Sequence, residues 1–474
     1  MNYLLILIGL LCLLFLVLSA RALFASKKVK LSPRIALFNQ TTLNEYGTKL
    51  GKMVQCKTIS YKDHFDDLEF NKLRNTMKDL FPLVHQQAEI KQFSDDCWLY
   101  KIKGKDDHHK VMVMSHHDVV EAKGNWQHDP FGGDMVDGNV WGRGSVDTKT
   151  ALFAQFQAIE EILSKNELPA YTTYIASSHN EEIGGDGIPC MKEYLKANKI
   201  QLDYVLDEGG AIIEAPLPGL TCKCAMMAVH EKGRYTLACE ALDGMGHRAF
   251  VEKKQAPINR IAAFINEISI HPPFIVRIHP QIKAMFQALC PYMNFKMRFI
   301  FSNLWLFSPI IKKIMPKLNA QAAGMVSTTC SFQDIESGTK DGFPYSKVSM
   351  FLRSIERNDF KEEINQLEKI AKKYNIELSP ISENEFYPPV NLASPYFEKI
   401  RQSITHIFPD IASAPYILPA GTDARHLCDI CDCVIRFAPI DITPAQFSSV
   451  HGENENISLQ TIGEAVAFYQ DLLR

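Results

Sequence analysis

Acidic side chains are missing from one long stretch of this sequence. Between Ile268 and Gln333 there is no aspartate or glutamate, although the 474-residue chain carries 54 of them. The same stretch holds Arg277, Lys283, Lys296, Arg298, Lys312, Lys313 and Lys317, set among apolar runs such as MFQALCPYMNF, FIFSNLWLF and IIKKIM. Basic and apolar residues without acids suit a surface that meets a membrane or an amphiphilic ligand. Buried helices with snorkelling lysines leave the same trace, so both readings stand at this level. An overall charge imbalance is also missing. A formal net charge of -3 excludes a global electrostatic drive toward nucleic acid, and no nucleic-acid partner is expected. A disulfide framework is absent too: of 12 cysteines, all but Cys12 lie beyond the first apolar run, in an odd and scattered set. There is no internal repeat and no low-complexity tract, which sets repeat architectures aside.

What is present is a globular composition, 46% hydrophobic and 22% charged, long enough for two or three domains. Leu4 to Leu18 is an unbroken apolar run, followed by Arg21, Lys27, Lys28 and Lys30. Its length suits a signal-peptide core, with ARA at Ala20 to Ala22 as a small-x-small cleavage site. Tyr3 to Phe24 equally suits a signal anchor if Arg21 snorkels. Residues 1–25 are therefore expected to be a signal peptide or anchor, and the protein membrane-associated or secreted. Sidedness stays open, because the basic flank after the run favours a cytoplasmic body while the cleavage site favours export.

Beyond a polar entry segment with a helix near Thr41 to Lys52, the chain alternates. Strand-like runs at Lys110 to Met114, Thr172 to Ala176 and Tyr204 to Leu206 enclose a helical pattern with Leu152, Phe156, Ile159 and Leu163 on one face. Such alternation predicts an α/β fold: a mainly parallel sheet flanked by helices, with ligands bound beyond the carboxyl ends of its strands. A second region, 230–354, opens on the strand GRYTLACEAL and closes on KVSMFLRSI. It reads as an inserted α+β domain carrying the basic apolar insert 268–333, with helical patterns at Pro257 to Ile268 and, past its end, at Phe360 to Tyr374. The main domain then comprises 31–229 and 355–474, closing with a helix near Ser458 to Leu473.

The residues that carry chemistry stand at the predicted strand ends. In SHHDVV, His116 and Asp118 share a face of the strand, so Asp118 is placed to orient a metal-binding imidazole while His117 points elsewhere. Taken alone, a strand-end histidine is more often structural. Asp147, in GRGSVDTK, sits at a junction with a helix, where a carboxylate is an N-cap or a bridge between two cations. Glu181 and Glu182 in NEEIGG are adjacent acids; a dication relieves their mutual repulsion and leaves one free to carry a proton. Asp207 and Glu208 in LDEGG form a second acid pair, and His451 stands in a glycine-containing loop, VHGENE. Histidines and carboxylates gathered on one edge suit zinc with mixed N and O ligands. HLCDICDC, at His426 to Cys433, has zinc-like spacing, but a β-type run follows at once and small buried cysteines explain it.

SHHDVV, W..DPFGG, GRGSVDTK, NEEIGG, LDEGG, GMGH, GTDAR and HGENE occur in the order found in the dizinc aminoacylase and carboxypeptidase family, metallopeptidase family M-20. The resemblance covers nearly everything from Lys52 onward. The acid-free insert further resembles the branch holding the Gly-X carboxypeptidase and the N-fatty-acyl-amino-acid synthase/hydrolase. This resemblance implies a catalytic domain in two parts with an inserted lid or dimerisation domain, and two Zn2+ ions per subunit. It implies that His116 and an acid of the pair Asp207 and Glu208 bind one zinc, that Glu182 and His451 bind the other, and that Asp147 bridges them. Glu181 becomes the general base, with Asp118 bracing His116. His247 matches a lid histidine that stabilises the oxyanion, supplied in dimeric relatives by the neighbouring subunit, so a homodimer is expected. Arg425 matches an arginine that reads the substrate carboxylate. Three positions depart from the pattern: Asn180 stands before the Glu pair, Thr150 follows DTK, and Asp341 occupies the place of a substrate-holding Asn.

The expected function is zinc-dependent hydrolysis of amide bonds next to a free carboxylate, in peptides or N-acyl amino acids, in either direction. The other class considered is a catalytically inactive relative acting as a binding or receptor protein. Such a protein would be expected to lose a ligand or the base, and this chain keeps them all. The basic apolar insert is expected either to meet a membrane surface or to cover a groove for a long acyl chain.

Overall fold

The structure is a computed structural model that describes residues 2–26, 31–243, 256–318, 320–383 and 386–474. Its largest sheet has nine strands, numbered here in chain order through all sheets: β1 (Glu89–Phe93), β2 (Cys97–Ile102), β3 (Asp106–His116), β6 (Tyr171–Ser178), β7 (Tyr204–Asp207), β8 (Ile212–Ile213), β9 (Cys224–Glu231), β14 (Ala412–Leu418) and β15 (Val434–Arg436). Their order is β1-β2-β6-β3-β7-β15-β9-β14, with β8 beside β9. The centre is parallel, since β3 pairs in parallel with both β6 and β7, and β7 with β15. The antiparallel β1–β2 hairpin borders one side. The predicted α/β architecture is therefore present, and each of the three predicted central strands is one or more residues longer than its apolar core.

Parallel strands need covered faces. The helix Lys149–Ser164 supplies one cover and is buried along almost its whole length, with Phe153, Phe156, Ile159 and Ile162 at 0% exposure. It lies between the sheet and the carboxy-terminal helix Leu459–Leu473, whose Ile462, Val466 and Phe468 join the same cluster. The buried polar groups of Lys149–Ser164 are paired: Gln155 donates to the Met114 carbonyl at 2.9 Å and Glu160 accepts the Val84 N–H at 2.9 Å. The small sheet of β4 (Met135–Val136), β5 (Asn139–Trp141) and β16 (Asn456–Ser458) sits beside this core, in the order β16-β5-β4.

A second sheet contains β10 (Gly233–Leu242), β11 (Thr329–Lys340), β12 (Phe343–Ser354) and β13 (Glu377–Glu383), in the order β11-β12-β10-β13. The sequence pattern places the return to the main domain at 355, yet β13 still pairs with β10 up to Glu383. The cause lies in the helix Arg357–Lys373, which packs Phe360, Leu367 and Ala371 on this sheet's core and so keeps the chain there for another strand. Asp341 and Gly342, both at positive φ, form the tight turn between β11 and β12. The insert forms helices at Pro280–Leu289, Phe295–Phe301 and Leu304–Leu318. Its apolar cluster seats on β9 and β14 through Met226, Ala412 and Ile417. The segment Asn2–Ser26 is one helix, long and apolar enough by length and composition to cross a membrane, with a mean hydropathy of 2.9 over its most apolar window.

Phe156 is fully buried, with ring centroids of Phe81 and Tyr100 at 5.4 and 5.0 Å. Phe156→Ala should lower the unfolding free energy by about 3–5 kcal/mol in a denaturant titration.

Candidate metal centre and active-site cleft

Neighbouring strands stand about 4.8 Å apart, so the ends of β6, β3 and β7 bring their last residues together. His116 closes β3 opposite Ser178 of β6. Its Nδ1 lies 3.0 Å from the Asp118 carbonyl and 3.3 Å from the Asp118 carboxylate. The other ring nitrogen, Nε2, lies 3.0 Å from Asp147 Oδ1. His117 faces away, stacked on Trp98 at 4.0 Å with its Nδ1 2.8 Å from Ser177 Oγ. Asp118 does more than orient an imidazole. Its two oxygens also accept the backbone N–H groups of Glu181 and Glu182, at 3.3 and 3.1 Å, so one buried carboxylate ties the β3 end to the β6 turn. That turn closes with Gly184 donating to the Glu181 carbonyl, and Gly184 takes a φ of +67° that suits glycine.

Asp147 presents its second oxygen, Oδ2, to His451 Nε2 at 3.2 Å, and His451 also lies 3.0 Å from Glu182. His116, Asp147 and Glu182 offer ligand atoms that all lie within 4.8 Å of one another, the one such group among the described residues. The second acid pair divides. Asp207 accepts the backbone N–H of Ala424 at 3.0 Å and so serves the GTDAR loop. Glu208 stands near enough for the charges of Asp147, Asp207, His116 and Glu181 to act on it.

Electrostatics shows why these groups stay together. Burial pushes Glu181 well up, and Asp423, Asp118 and Glu182 push it further, against His116. Burial does the same to Glu208, reinforced by Asp147, Asp207 and Glu181. Burial resists charge on His116 as well, yet its bonds to Asp118 and Asp147 hold it well above an ordinary histidine. His451 is pushed up to about 10 by Asp147 and Glu182. The cluster thus carries more acid than two imidazoles can balance and draws positive charge to itself. Two imidazole nitrogens and several carboxylate oxygens facing one space form a donor set that fits divalent zinc.

Sequence reasoning missed three residues. Glu455 is wholly buried and accepts from Arg143 Nη1 at 2.7 Å and from the N–H groups of Gly144, Val146 and Asp147 at 3.0, 2.7 and 3.0 Å. It stands four residues after His451, so one loop presents the imidazole and grips the loop of Asp147. HGENE contains it, but an acid there reads as surface until its four donors are seen. Asp423, in GTDAR, is raised to about 6 by burial and by the charges of Asp207 and Asp118, against Ser178 and Arg425. Arg353, in the strand KVSMFLRSI, comes from β12 in the second sheet.

Arg353 and Arg425 line a cleft of about 410 Å3 with Glu181, Glu182, His451 and Lys232. Guanidinium nitrogens of Arg425 and Arg353 lie 3.3 and 3.8 Å from where a Cβ on Gly421 would stand. The two guanidinium groups thus approach the same glycine from two elements. No residue of 268–333 lines this cleft, so the acyl groove expected under the insert is not part of it. His247 lies outside the described residues. Cys428, Cys431 and Cys433 form no metal group among the described residues; Cys428 Sγ instead meets Arg436 Nη2 at 3.2 Å.

Fold and site together define a metal-dependent peptidase class. Residues 112–474 match the model of peptidase family M20/M25/M40. The chain belongs to that family and is a hydrolase of amide bonds. It is 29% identical to a probable carboxypeptidase S-like 2 of Dictyostelium discoideum, over 95% of this chain and 89% of the relative. It is 28% identical to the human N-fatty-acyl-amino acid synthase/hydrolase PM20D1, over 82% and 78%. The M20 family metallo-carboxypeptidase Sso-CP2 of Sulfolobus solfataricus shares the fold, with a TM-score of 0.63 at 18% identity over 90% and 98% of the two chains.

Two measurements follow from these contacts. Glu455→Gln leaves Arg143 buried without its counter-charge and should cost about 3–5 kcal/mol in chemical denaturation. Lys232 is lowered to about 7 by burial, from an ordinary 10.5. Between those values the folded chain binds fewer protons than the unfolded one, so this amine makes stability rise with pH. Lys232→Met should remove that rise, read as the difference between the two proteins' unfolding free energies across the window.

Proposed function

We propose that the chain hydrolyses N-acyl amino acids and peptides at the amide bond next to a free carboxylate, using two zinc ions. The observation that carries the reading is Asp147, whose two oxygens face two different imidazoles at 3.0 and 3.2 Å. A carboxylate so placed is built to bridge two cations. His116 and Glu208 would hold one zinc and Glu182 and His451 the other, while Asp207 serves the GTDAR backbone. Bound there, the ions would supply Lewis acidity to the amide carbonyl and to the attacking water.

The chain's own residues do the rest. Glu181 takes a proton from the attacking water at its carboxylate and returns it to the leaving nitrogen as the C–N bond breaks. Asp118 fixes the His116 ring by its hydrogen bond to Nδ1. Arg425 and Arg353 hold the substrate carboxylate, since two planar guanidinium forks match one planar anion. The lid histidine His247 is read as an oxyanion donor. The names carried by the relatives, carboxypeptidase and N-fatty-acyl-amino acid synthase/hydrolase, support this substrate class. Asn2–Ser26 is read as a membrane-inserted helix.

Glu181→Ala should retain two equivalents of zinc by metal analysis and lose about 10²–10⁴-fold in kcat. Stripping the wild type with a chelator should abolish hydrolysis, and added zinc should restore it. Native turnover in the stripped protein would end the two-metal reading, and native turnover in the variant would end the role of Glu181.

A further inference from the structure

The insert carries an apolar helix face that no other part of the described chain covers. Helix Leu304–Leu318 turns Leu304, Ile311 and Met315 into the cluster beneath it. Its outward side is apolar as well. Leu306, Ile310 and Ile314 recur every fourth residue, on one stripe, at 36%, 52% and 49% exposure, with Trp305 at 61% and Leu318 at 55%. Lys312, Lys313 and Lys317 are exposed around that stripe, and no acid stands anywhere in 268–333. On a helix that faces water this side would be polar.

The amino-terminal helix docks on the same insert. The Phe15 ring lies 5.6 Å from Phe299, Asn303 Nδ2 donates to the Leu18 carbonyl at 3.2 Å, and Arg21 Nη2 donates to the Ser302 carbonyl at 3.2 Å. Leu18 and Ala22 are buried by the contact, while the remainder of the helix is largely exposed. Phe15 to Arg21 covers about 9 Å of helix axis. If that helix crosses a bilayer with Arg21 near its polar boundary, Ser302 stands near that boundary and Phe299 is carried about 9 Å into the same leaflet. This is the depth at which amphipathic helices rest.

We propose that the helices of the insert embed in an anionic bilayer leaflet beside the amino-terminal helix, with Trp305, Leu306, Ile310 and Ile314 among the acyl chains and Lys312, Lys313 and Lys317 on lipid phosphates. The enzyme body would then be held against the membrane by two elements, not tethered by one. The inference rests on the reading of Asn2–Ser26 as membrane-inserted. It is independent of the reaction chemistry.

The test uses the full chain reconstituted in phosphatidylcholine vesicles, with and without phosphatidylserine, some with brominated acyl chains. Subtracting the emission of Trp305→Phe isolates the signal of Trp305. That signal should be blue-shifted, quenched by brominated chains and shielded from aqueous iodide, with stronger quenching when phosphatidylserine is present. Ile310→Asp combined with Ile314→Asp should lose the quenching while thermal unfolding stays unchanged. Iodide access without lipid quenching would overturn the proposal. So would shielding from both quenchers, which would mean that a second copy or another protein covers the face. Quenching that persists in the double variant would remove the apolar stripe from the account, and equal quenching with and without phosphatidylserine would remove the lysines. A Phe15→Trp reporter separates the two readings: quenched there but not at Trp305, the helix stands and the insert falls; quenched at neither, both fall.

Discussion

The fold is organised around holding Asp147, only partly exposed, between two imidazoles. A carboxylate in that position is expensive unless every oxygen has a partner. Here one oxygen faces His116 and the other faces His451. The backbone around it is pinned by Glu455, which is itself neutralised by Arg143. These partners arrive from three parts of the chain: the end of β3, the 143–147 loop and the 451–455 loop. The site is therefore a condition on the whole domain: the parallel sheet must close, and the 451–455 loop must return to the 143–147 loop, before the charges can be balanced.

The same logic extends outward in layers. Asp118 joins the strand that carries His116 to the turn that carries Glu181 and Glu182. Asp207 joins the end of β7 to the loop that carries Arg425. Glu231, at the end of β9, accepts from Thr422 Oγ1 at 2.9 Å and from Arg436 Nε at 2.5 Å. Buried acids that look like surplus ligands in the sequence thus act as fasteners between loops. Specificity is set by a different set of charges. The two arginines of the cleft come from β12 and from the GTDAR loop, so the cleft lies where the second sheet meets the first.

Much of this is legible in the amino-acid sequence. The runs ending at Met114, Ala176 and Leu206 are apolar and β-branched, flanked by polar clusters, and they form the three central strands. The order of SHHDVV, GRGSVDTK, NEEIGG and HGENE points to the acids and histidines that do converge. Three things are not legible there. The choice between Asp207 and Glu208 depends on which way adjacent side chains point at a strand end, and the sequence contains no sign of the loop that Asp207 would serve. The second sheet reads shorter than it is, because the amphipathic helix at 357–373 suits either domain and only its packing partner decides. The acid-free insert is compatible with a groove over the substrate, and only the structure shows its apolar cluster seated on β9 and β14 with none of its residues lining the cleft.

What the sequence by itself determined is local: where strands and helices form, which residues are chemically able to bind a cation or move a proton, and that one helix at the amino terminus is apolar enough for a bilayer. These follow from periodicity and side-chain chemistry, which are properties of neighbours along the chain. The tertiary structure alone decided which acids gather beside the imidazoles and which fasten loops. It alone brought Arg353 to Arg425, and it alone set the amino-terminal helix against the insert. Those are distances between residues far apart in sequence, and they take values only once the sheet has fixed where every strand ends.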